Sequence, residues 1–151
     1  MALWIYSDAS YGSNPETKRG RSGFVMMSEG AAVSWGSKIQ EVVALSNTEV
    51  EYMALTHAAQ EALYLQQLQV ELGIDHEGLG VLLLCDNQSS TKIAQNHVFH
   101  KRSKRIAIRY HFIREKVRSG EMEPQFVTTK AIAADQLTKN VGLQVLVAGK
   151  D

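Results

Sequence analysis

Two short runs of apolar residues in this chain are each followed closely by an aspartate. Leu3–Tyr6 precedes Asp8, and Val81–Cys85 precedes Asp86. Neither run alternates between apolar and polar residues, which is typical of strands covered on both faces, as in parallel sheets. If the two strands are adjacent and parallel, both aspartates lie at the crevice beyond the carboxyl ends of the strands, where open α/β sheets bind ligands. The pattern predicts an α/β fold with an acidic site at one edge of its sheet.

The remaining elements follow from periodicity and from turn residues. Two apolar segments on either side of Ser28-Glu29-Gly30 predict a hairpin, and a long stretch with helical periodicity begins at about Asn47. The predicted order, β-β-β-α-β-α-α-β-α, fits one mixed five-stranded α/β sheet with helices packed on it. The predicted strands cover 3–6, 23–27, 31–35, 81–85 and 124–129, and the predicted helices cover 47–72, a stretch through about 95, 101–118 and 132–139.

Four acidic residues are candidate metal ligands: Asp8, Glu51, Asp86 and Asp135. Magnesium prefers oxygen ligands, and it keeps several waters while it binds a few carboxylates and substrate phosphates. In a site with two metal ions, the ions stabilise the attacking and the leaving oxygen of an in-line displacement. The four acids therefore indicate a nuclease with two Mg²⁺ ions, for which Mn²⁺ can substitute. Taken singly, each aspartate is more simply a turn or cap residue, and Asp135 can stabilise a helix N-terminus.

Glu49 and Glu51 both lie near the start of the long predicted helix. Steps of three or four residues from Glu51 pass through apolar side chains, whereas the same steps from Glu49 pass through a mixture of apolar and polar ones. The apolar stripe of an amphipathic helix faces a core, and a carboxylate there is costly unless a metal ion or a partner compensates it. We therefore choose Glu51 as the helix ligand. The stripe comprises Glu51, Leu55, Ala58, Ala62, Leu65, Leu68 and Leu72.

The composition limits the class of protein. The chain has 151 residues, of which 44% are hydrophobic and 21% charged, as expected of one compact globular domain. No segment approaches the roughly 20 apolar residues that a membrane-spanning helix needs, and the N-terminal sequence lacks the pattern of a signal peptide. Cys85 is the single cysteine, which excludes an internal disulfide. We therefore expect an intracellular protein, cytoplasmic or nuclear, with no membrane partner.

Positive charge is concentrated in one segment of the chain. Residues 97–118 contain eight basic residues and one acid, a net charge of +7, and because the whole chain is neutral the remainder carries −7. A helix with one apolar side is predicted there, and its basic side chains suit contact with nucleic-acid phosphates. A solvated surface helix is the alternative explanation. The candidate phosphate contacts are Lys101, Arg102, Lys104, Arg105 and Arg109.

A series of short motifs occurs in a fixed order between Tyr6 and Lys139. The motifs are Ser7-Asp8-Ala9, Val33–Lys38, Val43–Ser46, Glu49–Ala54, Cys85-Asp86-Asn87, His111–Glu115 and Ala134–Lys139. None is decisive alone, but their ordered combination resembles the ribonuclease H domain of copia-type (Ty1/copia) LTR-retrotransposon polyproteins.

The resemblance implies a fold, an activity and a partner. The fold is ribonuclease H-like over residues 1–140, followed by a C-terminal tail at 141–151. The activity is metal-dependent hydrolysis of the RNA strand of RNA:DNA hybrids, which leaves 5′-phosphate and 3′-hydroxyl ends. The partner is the hybrid, and the domain would adjoin a reverse transcriptase in a polyprotein.

The resemblance also implies residue roles. The family places its catalytic Glu before an aromatic or aliphatic residue, one further position and then Ala, which Glu51–Ala54 matches. Asn47 and Gln88 become candidates for contacts with the substrate backbone or minor groove, where 2′-hydroxyls distinguish RNA from DNA. The family's catalytic, metal-binding acids correspond to Asp8, Glu51, Asp86 and Asp135.

One departure from the wider pattern bears on turnover. Cellular and retroviral ribonucleases H carry a His on the loop before the last Asp, where it helps product release, but residues 128–134 contain none. The alternative function is therefore a catalytically weak or inactive module of the same fold that binds nucleic acid or scaffolds a polyprotein. Retention of all four acids argues against this alternative.

Overall fold

The structure of the protein is a computed structural model that describes residues 2–74, 78–95 and 104–128. Within these ranges, the side chains of residues 93 and 104–106 are outside the description. Several predicted features lie outside the described residues and stay predictions. They are the helix at 132–139, the boundary at 140, the tail at 141–151, and the side chains of Lys101, Arg102 and Asp135.

The described residues form a five-stranded mixed sheet with helices, as predicted. The sheet has the order β3-β2-β1-β4-β5, in which β1 pairs antiparallel with β2 and parallel with β4. Strands β2 and β3 are antiparallel, and β4 and β5 are parallel. The elements are β1 (Leu3–Ser10), β2 (Arg21–Ser28), β3 (Ala31–Ile39), α1 (Asn47–Glu71), β4 (Val81–Cys85), α2 (Gln88–Gln95), α3 (Lys104–Arg118) and β5 (Met122–Phe126).

The first strand is longer than its apolar run. Asp8 was expected to follow the strand, but β1 continues through Asp8 to Ser10 because its pairing with β2 continues. Asp8 is opposite Gly23, and Ser10 is opposite Arg21. The prediction that Asp8 comes after the strand was therefore wrong, because β1 ends four residues later than predicted and Asp8 lies two residues before its end.

The last described strand begins earlier than predicted. Strand β5 starts at Met122 because Met122 pairs with Val81, the first residue of β4. Pro124 lies within this strand rather than at its start. A proline is tolerated there because β5 is at an edge of the described sheet, where one side of the strand makes no ladder hydrogen bonds.

The predicted hairpin is confirmed, and the backbone angles of its two-residue connection identify the type of turn. Glu29 and Gly30 have φ values of 50° and 81°. Two successive positive φ angles define the type I′ turn, whose twist matches that of antiparallel strands. The hairpin leaves β3 at the other edge of the sheet, with Val33 and Trp35 exposed and a register shift opposite Met26 and Met27.

Helix α1 begins where the sequence predicts, and its start explains the role of Glu49. Ser46 is the N-cap, and its Oγ accepts a hydrogen bond from the Glu49 amide at 3.2 Å. The Oε2 of Glu49 accepts a hydrogen bond from the Leu45 amide at 2.7 Å. This reciprocal arrangement is close to a capping box, which satisfies amides at a helix start. The structure thus places the buried Glu49 at the helix cap.

The core lies between the sheet and the helices. The central pair Ile5 and Leu83 and the α1 residue Leu55 are fully buried. The predicted apolar stripe of α1 is buried only over its first part, because Leu68 is 36% and Leu72 66% exposed. None of the helices among the described residues has the length and apolar character needed to cross a membrane. The core cluster also includes Leu3, Phe24, Met26, Tyr52, Ala58, Ala59, Ala62, Val81, Cys85, Ala94, Tyr110, Ile113 and Met122.

Two leucines of the same stripe provide a matched test of this packing. Leu55→Ala is expected to lower the free energy of unfolding by about 2–5 kcal/mol, because it leaves a cavity in a closed core. Leu72→Ala removes the same atoms from an exposed position and should change the free energy of unfolding by at most about 0.5 kcal/mol. Urea denaturation followed by circular dichroism measures both. Equal effects of the two substitutions would contradict the described packing of α1.

Candidate active site

The parallel pairing of β1 with β4 brings two aspartates together. Ser7 is paired with Cys85; Asp8 is the next residue of β1, and Asp86 directly follows β4. The condition on which the predicted acidic site depended, that these strands are adjacent and parallel, is therefore met. Asp8 is buried and Asp86 half-buried. The two carboxylates lie near the carboxyl ends of neighbouring strands, where open α/β sheets form ligand crevices.

Helix α1 supplies the third carboxylate through close packing at its first turn. A β-carbon on Gly20 would overlap the Cγ2 of Val50 and would lie 2.7 Å from the Ser10 carbonyl oxygen, so only glycine fits between β1 and the helix. The Nε2 of Gln40 donates hydrogen bonds to the Ser22 Oγ and to the Val50 carbonyl oxygen, both at 2.9 Å. These contacts fix Val50, and with it the neighbouring Glu51, against the sheet.

Asp8, Glu51 and Asp86 form a compact acidic cluster. One ligand oxygen from each residue lies within 4.8 Å of the other two. Like charges this close disfavour joint ionisation unless cations compensate them. Three carboxylates suit a hard divalent cation that prefers oxygen ligands. The donor set therefore fits Mg²⁺ or Mn²⁺, with Asp135 a predicted fourth ligand outside the described residues.

The two residues predicted to contact the substrate backbone or minor groove lie at the starts of neighbouring helices. Asn47 is the first residue of α1 and Gln88 the first of α2, and both side chains are exposed. The Ser90 Oγ donates a 3.3 Å hydrogen bond to the Thr48 carbonyl oxygen, which ties the two helix starts together. Helix N-termini carry partial positive charge and attract phosphates. The arrangement supports contact between this surface and a polyanion.

Asn87 links the acidic cluster to α2. Its Oδ1 accepts a 2.8 Å hydrogen bond from the Ser90 amide, so Asn87 has the role of an N-cap residue. Its carbonyl oxygen accepts a 3.1 Å hydrogen bond from the Thr91 hydroxyl. The motif Cys85-Asp86-Asn87 thus combines a strand end, a carboxylate and a helix cap in three residues.

Cys85 is buried, as the sequence predicts. Burial is the largest cause that raises the pKa of its thiol, and the Glu51 and Asp86 carboxylates raise this pKa further. Hydrogen bonds with Thr91 and Asn87 act in the opposite direction. A thiol with a raised pKa is a weak nucleophile. Cys85 therefore acts as a small packing residue under the cluster.

The predicted phosphate contacts are only partly described. Lys101 and Arg102 lie outside the described residues, and Lys104 and Arg105 begin α3 with side chains that are not described. Arg109 is half-buried and lines a groove beside α1. At least one basic residue of the segment pairs within the protein, because Lys116 forms a 3.1 Å ion pair with Glu121.

Sequence reasoning missed two residues that position the site. Gln40 gave no signal because its hydrogen-bond partners are 18 and 10 positions away in the chain. Gly20 lies between the predicted strands at 3–6 and 23–27 and gave no signal either, since its role depends on how closely α1 approaches β1. A buried amide and a glycine required by close packing both depend on long-range contacts.

Comparison with known proteins tests the family resemblance that the sequence motifs indicated. No family model matches the chain. The chain is 36% identical over 136 residues to the retrovirus-related Pol polyprotein of transposon TNT 1-94 from Nicotiana tabacum, and 37% identical over 139 residues to that of transposon RE2 from Arabidopsis thaliana. These matches cover 90% and 92% of the chain and 10% of each relative, so the chain spans about a tenth of the length of these relatives.

The fold comparison identifies ribonucleases H. The crystal structure of LC11-RNase H1 in complex with an RNA/DNA hybrid superposes with a TM-score of 0.65 and 19% identity, covering 95% of this chain and 99% of that one. The resemblance found in the ordered sequence motifs is therefore confirmed. The chain is homologous to a segment of the retrovirus-related Pol polyproteins of copia-type plant transposons, and its fold is that of the ribonucleases H.

Proposed function

We propose that this chain is a ribonuclease H domain that hydrolyses the RNA strand of RNA:DNA hybrids. The observation that carries the proposal is the cluster of Asp8, Glu51 and Asp86, whose ligand oxygens lie within 4.8 Å of one another. The cluster is built at the carboxyl ends of paired parallel strands in a ribonuclease H fold. Homology to Pol polyproteins supports a role in reverse transcription, next to a reverse transcriptase in a longer polypeptide.

The acidic residues would hold two divalent metal ions, Mg²⁺ or Mn²⁺. Asp8, Glu51 and Asp86 are the described ligands in this proposal, and Asp135 is the fourth. When bound, the metal ions stabilise the attacking and leaving oxygens of the phosphodiester during in-line displacement. The protein residues keep the carboxylates in place, because Asp8 is buried within a paired strand and Glu51 follows the fixed Val50.

Substrate contacts extend from the cluster to the two helix starts. LC11-RNase H1 binds an RNA/DNA hybrid in a structure of the same fold. By analogy, the exposed Asn47 and Gln88 contact the hybrid beside the scissile phosphate, where a side-chain amide can hydrogen-bond a 2′-hydroxyl. The basic residues Lys101, Arg102, Lys104, Arg105 and Arg109 would follow the phosphates further along the duplex.

Metal binding is tested first, by substituting Glu51 and, as a control, Glu49. Mg²⁺ should raise the melting temperature of the wild type, since a ligand that binds only the folded state stabilises it by about 2.7 kcal/mol at a hundred times its Kd. Glu51→Gln should lose most of this response. It should also be more stable than wild type without metal, because one repelling charge is gone.

Glu49→Gln is the matched control for the metal test. It makes the same change of charge but keeps a side chain that can cap the helix, so its response to Mg²⁺ should equal that of the wild type. Differential scanning fluorimetry across a Mg²⁺ titration measures all three proteins. Loss of the response in Glu49→Gln with retention in Glu51→Gln would reverse the assignment of the helix ligand.

Hydrolysis is tested with an RNA:DNA hybrid whose strands carry different labels. The wild type with Mg²⁺ or Mn²⁺ should cut the RNA strand only, leaving 5′-phosphate ends. Asp86→Asn and Asp135→Asn should each lower the cleavage rate by about 100-fold or more, since each removes charge that the reaction depends on. Glu49→Gln should cleave at close to the wild-type rate.

The same assay separates the enzyme from an inactive module. Tight binding of the hybrid by the wild type without cleavage at any concentration of Mg²⁺ or Mn²⁺ would favour a binding or scaffolding module. Unchanged cleavage in Asp86→Asn would show that the acidic cluster is not the active site.

A further inference from the structure

A groove of about 440 Å³ lies between the end of β3, the middle of α1 and the first half of α3. Its walls are partly apolar, with Met53 from α1 and Ile108 from α3. Its polar lining comes from four different parts of the chain, which meet only in the folded protein. The polar lining includes Ser22, Lys38, Gln40, Glu41, His57 and Arg109.

Three nitrogen-bearing side chains from three elements converge on this groove. Lys38 comes from β3, His57 from α1 and Arg109 from α3. Burial is the largest cause that lowers the pKa of His57, and Lys38 and Arg109 lower it further. The positive charges of both side chains therefore act on the same imidazole.

Two acidic groups lie near the groove, the exposed Glu41 and the half-buried Glu61. Glu41 forms a 3.7 Å ion pair with Lys38, in which both side chains are more than half exposed. Glu61 raises the pKa of His57, but its Oε1 accepts a 2.8 Å hydrogen bond from the Ser34 hydroxyl. An exposed ion pair of this kind is weak and breaks readily in favour of a stronger partner. Lys38 can therefore exchange Glu41 for an anionic ligand.

Two residues that line the groove are neighbours of residues that position the acidic cluster. Ser22, which lines the groove, is next to Gly23, the pairing partner of Asp8. Gln40, also in the lining, donates a hydrogen bond to the carbonyl oxygen of Val50, the neighbour of Glu51. The groove and the acidic cluster therefore share strand β2 and the Gln40 hydrogen bond as supports.

We propose that the groove binds a backbone phosphate of the nucleic-acid substrate through Lys38 and Arg109, with His57 facing the same anion. The inference deepens the proposed ribonuclease H function and rests on it for the identity of the ligand. Arg109 gives planar, multiple hydrogen-bond donors and Lys38 a mobile point charge, which together suit a phosphate. This assigns a substrate contact to Lys38 and His57, to which the sequence gave no such role.

The site links substrate binding to protonation of His57. The pKa of His57 is lowered in the empty groove, and a phosphate beside the ring favours the charged imidazole and raises this pKa. Binding then takes up a proton in the pH window between the two values, so affinity increases as the pH falls through that window. The groups that face His57 are Lys38, Glu41, Glu61 and Arg109.

The decisive experiment measures hybrid binding by an Asp86→Asn protein, which should not cleave. The slope of log affinity against log salt concentration reports the number of phosphates neutralised. Adding Lys38→Gln and Arg109→Gln together should weaken binding and reduce the magnitude of this slope by about 1. Arg118→Gln, an exposed arginine at the far end of the same helix, is the matched control and should leave the slope unchanged.

NMR titration of the His57 ring supplies an independent measurement. In the Asp86→Asn protein the pKa of His57 should rise when hybrid is added, and inorganic phosphate at high concentration should shift it in the same direction. With Lys38→Gln and Arg109→Gln added, the hybrid should no longer shift it. An unchanged salt slope in the double substitution, together with an unchanged pKa of His57 on binding, would overturn the inference.

The outcomes separate the groove from the activity. Suppose that the wild type cleaves hybrids, but the groove substitutions change neither the salt slope nor the shift in the pKa of His57. The proposed function then stands and the groove assignment fails. Suppose instead that phosphate and hybrid both raise the pKa of His57, but the wild type does not cleave the hybrid. The groove assignment then stands and the hydrolytic function fails. Circular dichroism and thermal unfolding confirm that the groove variants remain folded.

Discussion

The site depends on the parallel pairing of β1 with β4. This pairing fixes which residues at the strand ends are neighbours, and it places Asp8 beside Asp86. Three residues earlier on each strand, Ile5 lies opposite Leu83, and both are fully buried. Burial of two such side chains contributes a few kcal/mol, about 1.5–3 kcal/mol each. The apolar pair thus offsets part of the repulsion between the two carboxylates a short distance along the same strands.

The third carboxylate depends on a different constraint. Helix α1 can bring Glu51 to the strands only because Gly20 leaves room for Val50. The Gln40 amide then bridges strand β2 and the helix through Ser22 and Val50. The cluster is therefore built from a strand pair and a helix start that are held by separate contacts. The same Gln40 lines the groove that contains Lys38 and Arg109, so the acidic cluster and this groove share one supporting side chain.

Much of the fold follows from local patterns, and the exceptions are long-range. The hairpin and the start of α1 at Asn47 were predictable from apolar runs, turn residues and helical periodicity. The adjacency of β1 and β4 was a condition of the predicted acidic site, and the structure meets it. The length of β1 was not, because it is set by the extent of its pairing with β2. Helical periodicity identified the buried side of α1, but it could not show that neighbouring elements leave Leu72 exposed.

The choice of Glu51 over Glu49 illustrates both kinds of signal. The apolar stripe pointed to Glu51, and the structure brings Glu51 to Asp8 and Asp86 while Glu49 bonds the Leu45 amide. The groove gave no sequence signal because Lys38, His57 and Arg109 belong to three separate elements. The fourth acid, Asp135, remains a prediction from the family resemblance.

The order of assembly follows from the distance along the chain between the paired strands. Strands β1, β2 and β3 are joined by short connections, whereas Trp4 and Leu82 of the β1–β4 pair are 78 positions apart. Closing a long loop costs entropy before its contacts form, so non-local pairing is slow. We expect the meander of β1–β3 to form before β4 joins it. The carboxylates would then meet only late in folding, in the same step in which Leu83 of β4 completes the core.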